Sequence, residues 1–193
     1  MNMTKKVTAL LLALMMVLSL AACGGKQDNN KNDPAPAADM TAQQVLDTLK
    51  EKLGDSYGCD LAEDEDRMTN YYGLDLSQID SWAAESSENS ALDASTAVVL
   101  KVKDGYAQDA AAALQTSYDQ VLDYSKMYSM NLPMVQQARL FVNGNYVALL
   151  ILGQLPEDDN TADEAKLAQD EAAKVDAAWQ ELFGSASNQI VVK

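Results

Sequence analysis

Histidine is absent from this chain of 193 residues. That absence removes the usual general base, the commonest zinc ligand and the third member of most nucleophile triads. Carboxylate pairs remain available for acid–base work of the glycosidase kind, but among 29 Asp and Glu most are a solvated surface. Basic residues are scarce as well. Setting aside Lys5 and Lys6 in the N-terminal segment leaves 12 basic against 29 acidic residues, a balance of −17. Neutralising phosphates takes clustered Lys and Arg, whereas Lys50, Lys52, Arg67, Lys101, Lys103, Lys126 and Arg139 are scattered. Nucleic acid is thereby excluded as a partner, and cations and basic proteins are the compatible ligands. Long apolar runs are missing too: the longest, Val7 to Leu20, falls short of the ~20 residues that a transmembrane helix needs.

That run nevertheless has the organisation of a secretory signal, with Lys5 and Lys6 before it and the small residues Ala21 and Ala22 after it. The stretch Leu20-Ala21-Ala22-Cys23 resembles the lipobox of bacterial lipoproteins. The resemblance implies a diacylglyceryl group on the Cys23 sulfur and cleavage just before that residue. Two acyl chains anchor stably where one binds only reversibly, at about 0.8 kcal/mol per buried CH₂. Cys23 is then an attachment point. Only Cys59 remains as a free thiol, so no intramolecular disulfide is available and stability must come from a core.

The expected organisation is a signal peptide over 1–22, a lipidated Cys23 with a disordered tether to residue 39, and one domain over 40–193. The tether is expected from its polar, Gly- and Pro-bearing composition. About 150 residues suffice for a single domain but not for the two lobes of a typical solute-binding lipoprotein.

Thr41 and Gln44 form a capping box, Met40 and Val45 a hydrophobic staple, and Val45, Leu46, Leu49 and Leu53 one apolar face before Gly54. These predict a first helix. Asp55 to Asp66 reads as a loop and Asp64 to Tyr72 as a short helix closed by Gly73. Leu76 to Ser86 and Ala97 to Lys103 read as strands, the latter with Val98, Leu100 and Val102 on one face. A long helix is expected from about Tyr106 to Tyr128, burying Ala110, Leu114, Tyr118, Val121 and Leu122. Pro133 is placed to begin a helical turn. Asn143-Gly144 predicts a two-residue type I′ hairpin, and Tyr146 to Leu152, apolar on both faces, a central strand covered on each side.

For the last helix, Thr161 and Glu164 are the expected capping box and Ala168, Ala172, Val175, Trp179 and Leu182 the buried stripe, with Gly184 as its end. Gln189 to Val192 is a candidate edge strand. The order of elements predicts an α+β domain whose antiparallel sheet of about four strands, in two hairpins, is packed by helices.

Tyr72-Gly73-Leu74-Asp75, the Val98 to Lys103 strand with Asp104 after it, and Gly144-Asn145-Tyr146-Val147 resemble a group of Firmicutes lipoproteins classed as domain of unknown function 4358. The likeness spans roughly residues 40–153. It implies a cell-envelope lipoprotein of a Gram-positive bacterium and carries no activity with it.

Four features invite a functional reading, each beside a plainer one. Cys59 is a candidate nucleophile, sensor or half of an intermolecular disulfide, but its acidic neighbours raise a thiol's pKa, which favours a quiet, partly buried cysteine. Met127, Met130 and Met134, beside Tyr124 and Tyr128, are soft Cu(I) ligands, or gap fillers and an adaptable contact surface. Tyr71, Tyr72 and Trp82 form either a ligand platform or the packing of a helix on the sheet. Glu63-Asp64-Glu65-Asp66 has oxygen ligands suited to Ca²⁺ but lacks the spacing of an EF-hand loop. The expectation is a lipid-anchored extracytoplasmic lipoprotein, a non-catalytic binding or interaction module with the membrane as one partner and an envelope protein or small ligand as the other. A calcium-dependent envelope module and a carboxylate-based hydrolase are the alternatives. Cys23 is the one assigned site residue, and no catalytic residue, metal ligand or cofactor is assigned.

Overall fold

The computed structural model describes residues 37, 39–89, 93–128, 131–155 and 163–191. The chain divides into two units, Met1–Pro34 and Ala35–Lys193, and every described residue belongs to the second. That unit is an α+β domain built on one antiparallel sheet.

Strands β1 (Leu61–Ala62), β2 (Ile79–Ser86), β3 (Thr96–Val102), β4 (Arg139–Asn143) and β5 (Tyr146–Ile151) lie in the order β1-β2-β3-β5-β4. The sheet therefore has five strands rather than four. β1 carries no periodicity of its own, since two residues cannot, and exists because β2 offers it an edge, with Leu61 opposite Ser86 and Ala62 opposite Glu85. β5 is buried at every position, as a strand covered on both sides must be.

Side-chain alternation sorts the sheet into two cores. Ala97 and Val99 of β3, with Tyr146, Ala148 and Leu150 of β5, face helices α1 (Ala42–Leu53) and α4 (Glu164–Phe183). Val98, Leu100 and Val102, with Val147, Leu149 and Ile151, face helix α2 (Ala107–Tyr128) and the turn Arg67–Tyr71. A register irregularity between Ile79 and Ser81 turns Ile79 to the same face as Trp82, although the two are three residues apart.

Thr41 caps α1 as expected, its hydroxyl accepting from Gln44 N while the Gln44 side chain accepts from Thr41 N. Val45, Leu46, Leu49 and Leu53 are buried. The segment Arg67–Tyr71 is a π-helical turn rather than α, and Leu76–Gln78 is a 3₁₀ turn that precedes β2 instead of extending it. α2 buries Ala110, Leu114, Tyr118 and Leu122, but Val121 is only half-buried. A short helix α3 (Leu132–Val135) holds Pro133 in its first turn. α4 buries all five stripe residues and ends at Gly184, where φ is +76°. Its cap is Asp163, whose carboxylate accepts from Lys166 N at 2.9 Å; Thr161 lies outside the described residues.

The β4–β5 turn is Gly144-Asn145, one residue later than expected, with Asn143 paired to Tyr146. Of the two turn residues only Gly144 has positive φ, which fits the type II′ pattern and not I′. Asn143 stays in the strand because its side-chain oxygen accepts from Trp179 Nε1 at 2.7 Å. Gln189–Val191 forms no strand either. Gln189 N donates to Leu140 O at 2.8 Å, but the Leu140 N–H goes to the Asn188 side chain at 2.9 Å, so a side-chain amide replaces the second ladder bond. The segment still covers the β4 edge, and Val192 lies outside the described residues.

Candidate functional site

Helix α2 begins at the end of the sheet that carries the β4–β5 turn, here called the base. Val102 N donates to Asn145 O at 2.8 Å, and Asn145 Nδ2 to Asp104 Oδ1 at 2.8 Å, which fixes the loop leading into α2. The helix then rises along the face that buries Leu114, Tyr118 and Leu122, and its last buried residue is Ser125.

In its final turn large side chains point into water. Met127 is 73% exposed, Tyr128 56% and Tyr124 53%. Three of the five exposed large hydrophobics among the described residues are thus on one turn. The Tyr124 and Tyr128 rings lie 4.6 Å apart between centroids, as expected for neighbours at i and i+4. Each such side chain would gain about 1.5–3 kcal/mol from full burial, so the turn forgoes a contact that the fold supplies elsewhere. Tyr and Met are the residue types enriched at protein interfaces.

The turn is flanked by carboxylates. Asp123 is exposed and lies 3.5 Å from Lys126. On the other flank, Ser117 Oγ donates to Tyr71 O at 3.2 Å and ties the Arg67–Tyr71 turn to α2, and exposed Asp64, Glu65 and Asp66 lead into that turn from β1.

The acidic tract itself does not converge. Asp64 Oδ1 accepts from Arg67 N at 2.8 Å and caps the turn. Glu63 turns to the Arg67 side chain at 3.5 Å, an ion pair without a hydrogen bond. Arg67 in turn lies 4.1 Å over the Tyr71 ring. Among the described residues no group of three or more His, Cys, Asp or Glu is placed to hold a metal.

The other sequence candidates fall apart in space. Met134 is buried while Met127 is exposed, so these two share no site, and Met130 lies outside the described residues. Tyr72 is buried and meets Tyr71 edge-on at 5.0 Å and 85°, and Tyr71 and Trp82 pack against the same core, so these rings fasten the turn to the sheet. Cys59 is buried. Burial first, then Glu85 and Asp93, push its thiol pKa up, with Lys50 opposing weakly; the protonated thiol is a poor nucleophile. Cys23 lies outside the described residues.

Sequence reasoning missed the polar ties around α4. Arg139 Nε and Nη2 bind Asp176 at 2.7 and 3.0 Å, joining the β4 edge to the helix. Lys174 Nζ donates to Glu171 at 2.5 Å and to Ser56 Oγ at 3.1 Å. Arg139–Asp176 and Lys174–Ser56 join distant segments, so nothing in their spacing signals them, whereas Glu171 and Lys174 are helical neighbours at i and i+3.

Fold and site together define a sheet domain closed on both faces that leaves one aromatic helix end uncovered. Residues 52–152, just over half of the chain, match the family model described as Domain of unknown function (DUF4358), and the chain belongs to that family. No curated protein and no solved structure matches it. The match runs from the end of α1 through β5, so it includes all five strands and α2 but leaves out α4.

Proposed function

We propose that this protein is a lipid-anchored, extracytoplasmic lipoprotein that works as a non-catalytic interaction module of the cell envelope. The anchor is supported by Leu20-Ala21-Ala22-Cys23 behind an apolar run too short to span. The interaction role rests on one observation, the exposed Tyr124-Met127-Tyr128 turn beside acidic flanks. Its non-catalytic character is supported by the absence of histidine and by a buried thiol whose pKa is raised.

Acyl labelling of the full chain in a Gram-positive host tests the anchor. The native chain takes the label and stays with membranes through a high-salt wash. Cys23→Ala should lose the label and leave the membrane fraction with its melting temperature unchanged. Retention of the unlabelled variant on washed membranes overturns the anchor.

A further inference from the structure

Chain entry and the exposed aromatic turn lie at opposite ends of the sheet. At the base, Ala37 is buried and its N–H donates to Leu182 O at 3.1 Å. Met40 O accepts from Lys101 Nζ at 3.1 Å and from the Tyr146 hydroxyl, where β3 ends and β5 begins. Among the described residues the chain therefore enters the sheet at its base. α2 starts at the same base and runs 22 residues, about 33 Å. Its last turn consequently sits at the far end, where the chain goes on through α3 to Arg139, the residue opposite Leu150 near the end of β5.

Carboxylates outnumber cations beside that turn, with Asp64, Glu65, Asp66 and Asp123 against Arg67 and Lys126. Tyr124 follows Ser117 by seven residues, which puts it within about 20° of the same flank and about 10 Å farther along. That flank is the one to which Ser117 ties the Arg67–Tyr71 turn, preceded by exposed Asp64, Glu65 and Asp66. Asp123 stands on the opposite side, with Lys126 beside it.

We propose that the last turn of α2 docks a cationic protein, one whose apolar pocket takes Tyr124, Met127 and Tyr128 and whose rim of Lys and Arg meets Asp64, Glu65 and Asp66. This rests on the interaction-module reading above, independently of the lipid anchor. A lipid surface is the poorer occupant because exposed Asp64, Glu65 and Asp66 repel anionic headgroups. A second copy is the poorer one because two chains of balance −17 repel at that distance. An oppositely charged protein is steered toward the acidic flanks, and the aromatic turn gives it an apolar anchor.

Photo-crosslinking on intact cells decides it, with p-benzoylphenylalanine in place of Met127 or, as the comparator at the base, of exposed Gln78 in the full chain. Position 127 should give one discrete adduct with a protein of net positive charge, and position 78 should not. That adduct should fall at least tenfold when Tyr124 and Tyr128 are both alanine, and again when Asp64, Glu65 and Asp66 become Asn, Gln and Asn. Asn keeps the bond that Asp64 accepts from Arg67 N and the other side chains are exposed, so the melts of both variants should match the native one. Adducts at 127 with lipid, with a second copy, with an acidic or neutral protein, or with nothing overturn the proposal, as does an adduct indifferent to the substitutions. Acyl labelling of the same cells separates the two readings: an unlabelled chain that still yields the basic adduct refutes the anchor and leaves the docking turn standing.

Discussion

The two faces of the sheet are closed by different parts of the chain. On one, α1 and α4 come from opposite ends of the domain and meet over an aromatic stack: Trp179 lies 4.2 Å from Phe183 and 5.0 Å from Phe141, at 28° and 17°. On the other, α2 and the Arg67–Tyr71 turn, both from the middle of the chain, cover an aliphatic surface of Val, Leu and Ile. The family match contains the second cover and almost none of the first. The family segment is therefore shorter than the stretch of chain that covers both faces of the sheet.

Cutting the chain to residues 52–152 breaks the comparison most severely. Val99, Phe141, Ala148 and Leu150 lose Val45, Leu49, Val175 and Trp179 as neighbours. The fragment should show no cooperative urea transition and little far-UV signal of the native sheet. A sharp transition in the fragment would mean that the aromatic face is dispensable.

A smaller effect is expected from single truncations, one per face. Trp179→Ala removes the stack and strands the Asn143 side-chain oxygen, so it should cost about 3–5 kcal/mol. In a domain of this size that lowers Tm by roughly 6–20 °C. Leu114→Ala on the aliphatic face should cost about 2–5 kcal/mol, toward the low end, because it breaks no hydrogen bond. Equal melts for the two variants would show that the stack adds nothing beyond buried area.

The smallest effect depends on pH. Burial raises the Glu171 pKa, but hydrogen bonds from Lys174, Ser56 and Gln154 N outweigh it and hold the carboxyl below its usual range. A depressed carboxyl binds fewer protons folded than unfolded. Its contribution is whole above the unfolded value of about 4.3 and is lost as pH falls through the folded one. Partial exposure keeps it modest. Glu171→Gln should therefore lower the urea midpoint at pH 7, and the gap to the native chain should shrink by pH 3. A gap that is the same at both pH values would remove the ionised pair as its cause.

What was legible in the sequence is what repeats. The α4 stripe at helical spacing, the two-sided β5 and the Thr41–Gln44 box were each readable because several residues state one thing. What was illegible is decided by a distant partner. β1 is a strand only because β2 pairs with it. The hairpin turn moved one residue because Trp179 claims the Asn143 side chain across 36 positions. The candidate site was half legible. Tyr124, Met127 and Tyr128 stood out as a group, but Met134 lies beyond the end of α2, and helical phase does not carry through the break at Asn131, where φ is +51°. That break turns Met134 into the core.

The closure of the aromatic face by both ends of the domain also orders events in time. Met40 O and the Tyr146 hydroxyl meet across 106 residues, and Lys52 and Glu181 across 129, whereas β4 and β5 are joined by two residues. Contacts between near neighbours form before those that must close a long loop. The hairpin and α2 can gather early around β5, while α1 must wait for α4 before its face is sealed. During that interval Phe141 and Leu150 lack their cover, so the arrival of the C-terminal helix closes the last apolar face of the sheet.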